Sequence, residues 1–207
     1  MILAALLLMT QVAAQDPRLQ RLDPDTRTAV AAVVDSAHGA GLPVEPIIQR
    51  ALEGATKGAP GARIVAAVRR LAVDLGTARV ALGTSASAPE LEAAVAALRA
   101  GAALEVLAHL RDLRRPPLTM ALSVLADLVA SGVPADSAAA AVLALAPKAR
   151  DADLVEFRRA VERDIALGAP PGAATSVRLN AGALDVYGAN SAANNPNSPR
   201  PRPRSRP

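Results

Sequence analysis

The stretch Ile64-Val65-Ala66-Ala67-Val68-Arg69-Arg70-Leu71-Ala72-Val73-Asp74-Leu75 decides the fold class. Ile64, Val68, Leu71 and Leu75 recur at spacings of four, three and four, which places them on one face of an α-helix. Pro60 stands just ahead of the run, where a helix tolerates it. Hydrophobic residues make up 51% of the 207-residue chain but aromatic residues only 1%, and much of the hydrophobic share is Ala. A core of that composition is built from helices packed closely through small side chains. The β-branched and aromatic residues that suit a pleated surface are few and never alternate cleanly.

The same period extends in both directions. Upstream, Asp23-Pro24-Asp25 supplies a cap, a first-turn Pro and an early acid for a helix carrying Val30, Val33 and Val34, which stops at His38-Gly39-Ala40-Gly41. Leu42-Pro43 opens a second helix, with Ile47, Ile48, Ala51 and Leu52 inward, ending in Gly54 to Gly58. Downstream, Ser87-Ala88-Pro89-Glu90 has the form of a capping box and starts a helix with Leu91, Val95 and Leu98 inward. Leu104, Leu107 and Leu110 belong to the next helix, and Leu118, Leu122, Leu125 and either Leu128 or Val129 to the one after Pro116-Pro117. A seventh begins at Pro134, and an eighth follows Asp151 with Leu154, Phe157, Val161 and Ile165 inward. From Gly168 the helical signal weakens. The expectation is an all-α domain over residues 15–177, a compact bundle or short helical-hairpin repeat array of about eight short helices. Gly41-Leu42-Pro43 and Gly132-Val133-Pro134 open similar segments, which suggests possible repeat units at 41–75 and 132–165. Gly-x-Pro is also ordinary helix punctuation, which explains the likeness without duplication.

The two ends read differently from the body. Met1–Ala14 is uncharged and apolar with small residues at its end, the pattern of a secretory signal peptide cleaved near Ala14, although no basic residue precedes its apolar run. It is too short to span a bilayer, and no other segment qualifies, so no transmembrane segment is expected in the mature chain. Export to the periplasm or the medium follows, for a chain with no Cys and so no disulfides. Residues 178–207 contain Arg178, Arg200, Arg202, Arg204 and Arg206 against the single acid Asp185, so the whole net charge of +4 sits there and the body is neutral. The end of this segment, NSAANNPNSPRPRPRSRP, has almost no apolar residue and reads as a disordered tail. Arg200, Arg202, Arg204 and Arg206 are its candidate contacts to an anionic polymer or to lipid headgroups.

A search for chemistry returns few candidates. His38 and His109 are far apart and in no metal-ligand spacing, and no Ser sits in a nucleophile elbow. The acid pairs Asp23/Asp25, Glu90/Glu92 and Asp151/Asp153 all fall at helix starts, where free backbone N–H groups favour carboxylates. Lys57, between Gly54 and Gly58, is a weak candidate for ligand contact, since the phosphate-binding loop pattern around it is incomplete. Arg69-Arg70, Arg114-Arg115 and Arg158-Arg159 read as solvated helix faces, with Glu162 one turn from Arg158. The expectation is a protein without catalytic residues, cofactor or metal, acting as a non-enzymatic interaction or structural module of the cell envelope through a protein partner. The alternative is binding of a polyanion or anionic surface through the Arg-Pro tail.

Overall fold

The stops between helices come first, because they set the direction of everything that follows. In Gly41-Leu42-Pro43 the glycine takes φ 69° and in Gly132-Val133-Pro134 it takes φ 91°, a left-handed backbone that disfavours a side chain. The N–H after each glycine reaches back into the finished helix, Leu42 to the Ala37 carbonyl (2.9 Å) and Val133 to that of Leu128 (3.1 Å). This is the Schellman cap. The same cap recurs at Gly58-Ala59-Pro60 and Gly168-Ala169-Pro170, where Ala59 bonds Gly54 and Ala169 bonds Asp164. The proline two residues on cannot continue the old helix and presets the entry to the next.

The computed structural model describes residues 16–181. A 3-10 turn, Pro17–Arg21, leads into α1 (Pro24–Gly39), α2 (Glu45–Thr56), α3 (Gly61–Leu82), α4 (Ala88–Ala100), α5 (Leu104–Leu113), α6 (Thr119–Ala130), α7 (Ala135–Leu145) and α8 (Asp151–Ala166). A further helix, α9, covers 171–181. No strand occurs among the described residues. The chain is all-helical, and the predicted boundaries of α1 and α4 to α8 hold to within a residue or two. The segment expected to be a signal peptide and the Arg-Pro run lie outside the described residues.

The helix after Gly168 is the main departure from the sequence reading. Its buried positions are Ala174 and Thr175, 3% and 2% exposed, so it docks through small side chains and shows no apolar stripe. Arg178, counted with the tail by its charge, lies in this helix and grips Asp164 of α8 with two bonds of 2.6 Å. The Arg pairs depart as well. Arg158 bonds Asp127 of α6 at 2.5 Å and approaches Glu162 only to 3.8 Å. Arg114, with a side chain only 14% exposed, donates to the carbonyls of Ala146 and Ala149 and to Asp151. A planar guanidinium can serve several acceptors at once, which converts these expected surface charges into ties between helices.

Those ties reveal the architecture. Arg79 near the end of α3 donates to the Gly41 carbonyl just past α1, and Arg111 at the end of α5 donates to Ala81 near the end of α3. Arg114 joins the end of α5 to the end of α7. The odd-numbered helices therefore run parallel in one row, and the even-numbered helices return in a second. Every principal packing pair links elements one or two apart in the chain: α1 to α3, α3 to α5, α5 to α7, α4 to α6, α6 to α8, and hairpin neighbours between rows. Contacts limited to near neighbours are the mark of a hairpin array. The similar segments at 41–75 and 132–165 share the cap but not their place: α2 lies in the even row and α7 in the odd.

The core is aliphatic, with Leu75, Leu91, Leu107, Leu110, Leu122, Leu125, Leu128 and Leu154 fully buried. Ala93, Ala94 and Ala97 of α4 are buried beside Leu91 and Val95, while Leu98 is only half-buried, so α4 turns a broader face inward than its large residues indicate. One carboxylate is buried with them. Glu90, 4% exposed, accepts the Ser87 N–H and hydroxyl at Oε2 (2.8 and 2.7 Å) and the Leu118 N–H at Oε1 (2.8 Å). It links the start of α4 to the start of α6. Burial pushes its pKa up, but the bonds from Ser87 and Leu118 outweigh that and hold it below the ordinary 4.5.

Two predictions follow from this packing. A Cβ on Gly61 would lie 2.0 Å from Thr26 Oγ1, so Gly61→Ala must displace the buried Thr26 side chain or part α1 from α3. It should lower the urea unfolding free energy by about 1–3 kcal/mol. Glu90→Gln should cost about 1–3 kcal/mol at neutral pH through its mismatched donors. Because the folded-state pKa of Glu90 is depressed, its contribution is present above pH 4.5 and is lost as pH falls through the lower folded value. Urea midpoints between neutral and acid pH should therefore decline less steeply in the variant.

Candidate functional site

The even row is closely packed from α4 to α8 but opens between α2 and α4, which are not among the principal packing pairs. The reason is local. Ile47, Ile48 and Ala51 bury the inner face of α2, while Glu45, Gln49 and Glu53 follow at four-residue spacing on a flank that cannot be buried without partners. The opening is a groove of about 590 Å³. Glu45, Pro46, Gln49, Arg50 and Glu53 form one wall, Glu92, Val95, Ala96 and Arg99 of α4 the other, and Leu71 of α3 the floor.

Most charges on the walls are held by their own side of the groove. Arg18, beside the 3-10 turn's cap residue Asp16, forks onto both oxygens of Glu45 at 2.8 Å, and Gln49 adds a bond of 2.7 Å. The Arg18 bonds, with that of Gln49 behind them, lower the Glu45 pKa to about 2. Glu53 accepts Lys57 Nζ at 2.5 Å and Arg50 Nη1 at 3.1 Å, and the Lys57 bond draws its pKa below the usual range. Arg99 donates to Asp74 of α3 at 2.8 Å. Glu92 makes no hydrogen bond or ion pair among the described residues.

The residues singled out from sequence fall at several places. Lys57 is the C-cap residue of α2, exposed, and bonded to a carboxylate of the groove wall, while Gly58 beside it serves the helix stop. Arg200, Arg202, Arg204 and Arg206 lie outside the described residues. His38 and His109 are exposed on α1 and α5, and no group of residues able to hold a metal ion occurs among the described residues. Asp23 caps α1, Asp153 accepts the Arg150 N–H at the start of α8, and Asp151 receives Arg114. Of the three acid pairs, only Glu92 faces the groove. Sequence reasoning passed over Glu45, Gln49 and Arg99, and read Glu92 only as a helix-start acid. Their signal was polar residues at helical spacing on the flanks of two helices that otherwise match their neighbours.

No protein-family model matches the chain, and comparison with curated proteins and with solved structures yields no match. No described helix is long and apolar enough to cross a membrane.

The Arg18 fork carries a direct test. Followed by carboxyl-carbon NMR, Glu45 should titrate at about 2 in the intact protein. In Arg18→Ala it should return toward its ordinary 4.5, short of it by the part due to Gln49.

Proposed function

We propose that this chain is a non-enzymatic interaction module of the cell envelope, exported after cleavage near Ala14, whose protein partner seats in the α2–α4 groove. The observation that carries the reading is the groove itself, an interruption in an otherwise continuous row of helices. Its floor and one wall show only the edges of Leu71 and Val95, 7% and 4% exposed, beside Pro46 and Ala96, and its rims present charges. That combination suits a polar, charged partner segment with a small apolar contact. Its wall carboxylates favour recognition over proton transfer. With pKa values pushed down, Glu45 and Glu53 stay ionised at neutral pH and act as fixed acceptors, whereas a general acid or base needs a pKa near the working pH. Arrays of helical hairpins present rigid extended surfaces, so the walls are in place before a partner arrives.

A photocrosslinking amino acid at Gln49 or at Ala96 in the full chain, expressed in its host, tests this. Both positions should give the same adduct in the envelope fraction, on a chain whose intact mass begins at Gln15. The same probe at Thr77, exposed on α3 away from the groove, should give none. Equal labelling from all three positions, or none from the groove, would overturn the reading.

A further inference from the structure

We propose that the far end of the array is capped by the chain's own segment Leu184-Asp185-Val186-Tyr187, seated on the open flank of α8 beside α9. The inference stands apart from the groove and its partner. Three observations carry it.

The first is that one end of the array is already covered. Leu19 of the 3-10 turn and Leu22 just past it, 1% and 6% exposed, close off α1 and α2. An array whose units lean on their neighbours needs a cover at each end. The second is the flank left bare at the other end. α6 packs on both α4 and α8, but α8 has no later even helix beside it among the described residues. Arg158, through its bond to Asp127, marks the side of α8 turned to α6. Phe157 and Ala160 lie round the helix from it. Asp164, seven residues beyond Phe157 and so on the same flank, is held by Arg178 of α9. Phe157, the chain's only Phe, is part-buried, and Val177, next to Arg178 on α9, is 62% exposed.

The third is where the described chain ends. A Cβ on Gly132 would lie 3.6 Å from Pro171 and one on Gly172 3.9 Å from Pro134, so α9 starts beside the start of α7 and runs with the odd row. Residue 181 therefore lies at the edge of the array where α8 begins. Gly182 follows at once, as Gly83 follows α3 and Gly101 follows α4, both with positive φ. A reversal at Gly182 returns the chain along α8, into the place of the next even helix. Leu184 is three residues past Ala181, a reach of about 10 Å, which is the spacing of neighbouring helices. Leu184, Val186 and Tyr187 are also the last large apolar side chains of the sequence, since the Asn-, Pro- and Arg-rich remainder has none. Seated there, they cover Phe157 and Val177 and keep copies of the chain from stacking end to end.

The chain has one Tyr and no Trp, so its ultraviolet emission reads Tyr187 alone. In the full chain, acrylamide should quench that emission severalfold less than it quenches N-acetyltyrosinamide, and to the same degree on dilution. Leu184→Asp, which leaves the described helices untouched, should bring quenching to the level of the free compound. Phe157→Ala should raise it too, with helix content by circular dichroism unchanged. Quenching of the unaltered chain at the free level would overturn the cap. Protection that survives both substitutions would overturn it as well, because the cover would then lie elsewhere. Protection lost on dilution would assign the cover to a second copy and overturn the assignment to this segment. None of these readings involves the groove, so the photocrosslinking outcome is independent of them.

Discussion

A helix that ends at Gly-x-Pro hands the chain to its successor with the direction reversed, and the rest of this structure depends on that constraint. The glycine's positive φ lets the last carbonyls be satisfied within one turn, so each reversal is short. A chain reversed at short, regular intervals has its near neighbours in sequence as its near neighbours in space. Two rows of alternating direction follow, and contacts reach one or two elements along the chain. The cap at Gly101 lacks the proline yet has the same bonds, Ala102 to Ala97 and Gly101 to Leu98, so the proline is dispensable to the cap, while α5 and α7 end without a glycine, at Arg114 and Ala146.

Rows of Ala-rich helices bring backbones close, and closeness is both the strength and the cost of this core. Gly61 touches α1 so tightly that no side chain fits, and Ala93, Ala94 and Ala97 let α4 lie against α6. With so few large side chains, the rows need a second kind of tie. Arg79, Arg111 and Arg114 supply it by donating to carbonyls at the ends of neighbouring helices, where the partial negative charge of the helix is concentrated. Arg does this better than Lys because its planar fork reaches two acceptors. The Arg-rich, Lys-poor composition therefore belongs to the scaffold as much as to the surface.

The groove is the place where these rules are interrupted. An apolar flank on α2 would have closed it. A flank of Glu45, Gln49 and Glu53 leaves it open, and local cations hold those carboxylates ionised. The interruption lies beside the N-terminal 3-10 turn, so Arg18, on a segment that precedes the first α-helix, becomes part of a wall built by the second.

The sequence by itself determined the helices, because apolar spacing, prolines, glycines and the Ser87–Glu90 pattern are local signals and the backbone answers to them locally. It determined α3 from Ile64, Val68, Leu71 and Leu75, and the stop before Pro43 from Gly41. It did not show α9, whose contacts are made by Ala174 and Thr175, residues with no apolar stripe to read. Arg114, Arg158 and Arg178 looked like surface charge because their acceptors, Ala146, Ala149, Asp127 and Asp164, lie at separations set by the rows. The groove was equally hidden: Glu45 and Glu92 are far apart in the chain and each is an ordinary polar residue on its own helix. Only the tertiary structure decided that they face one another, since which flanks meet depends on how each helix lies in its row and not on the period of any one helix.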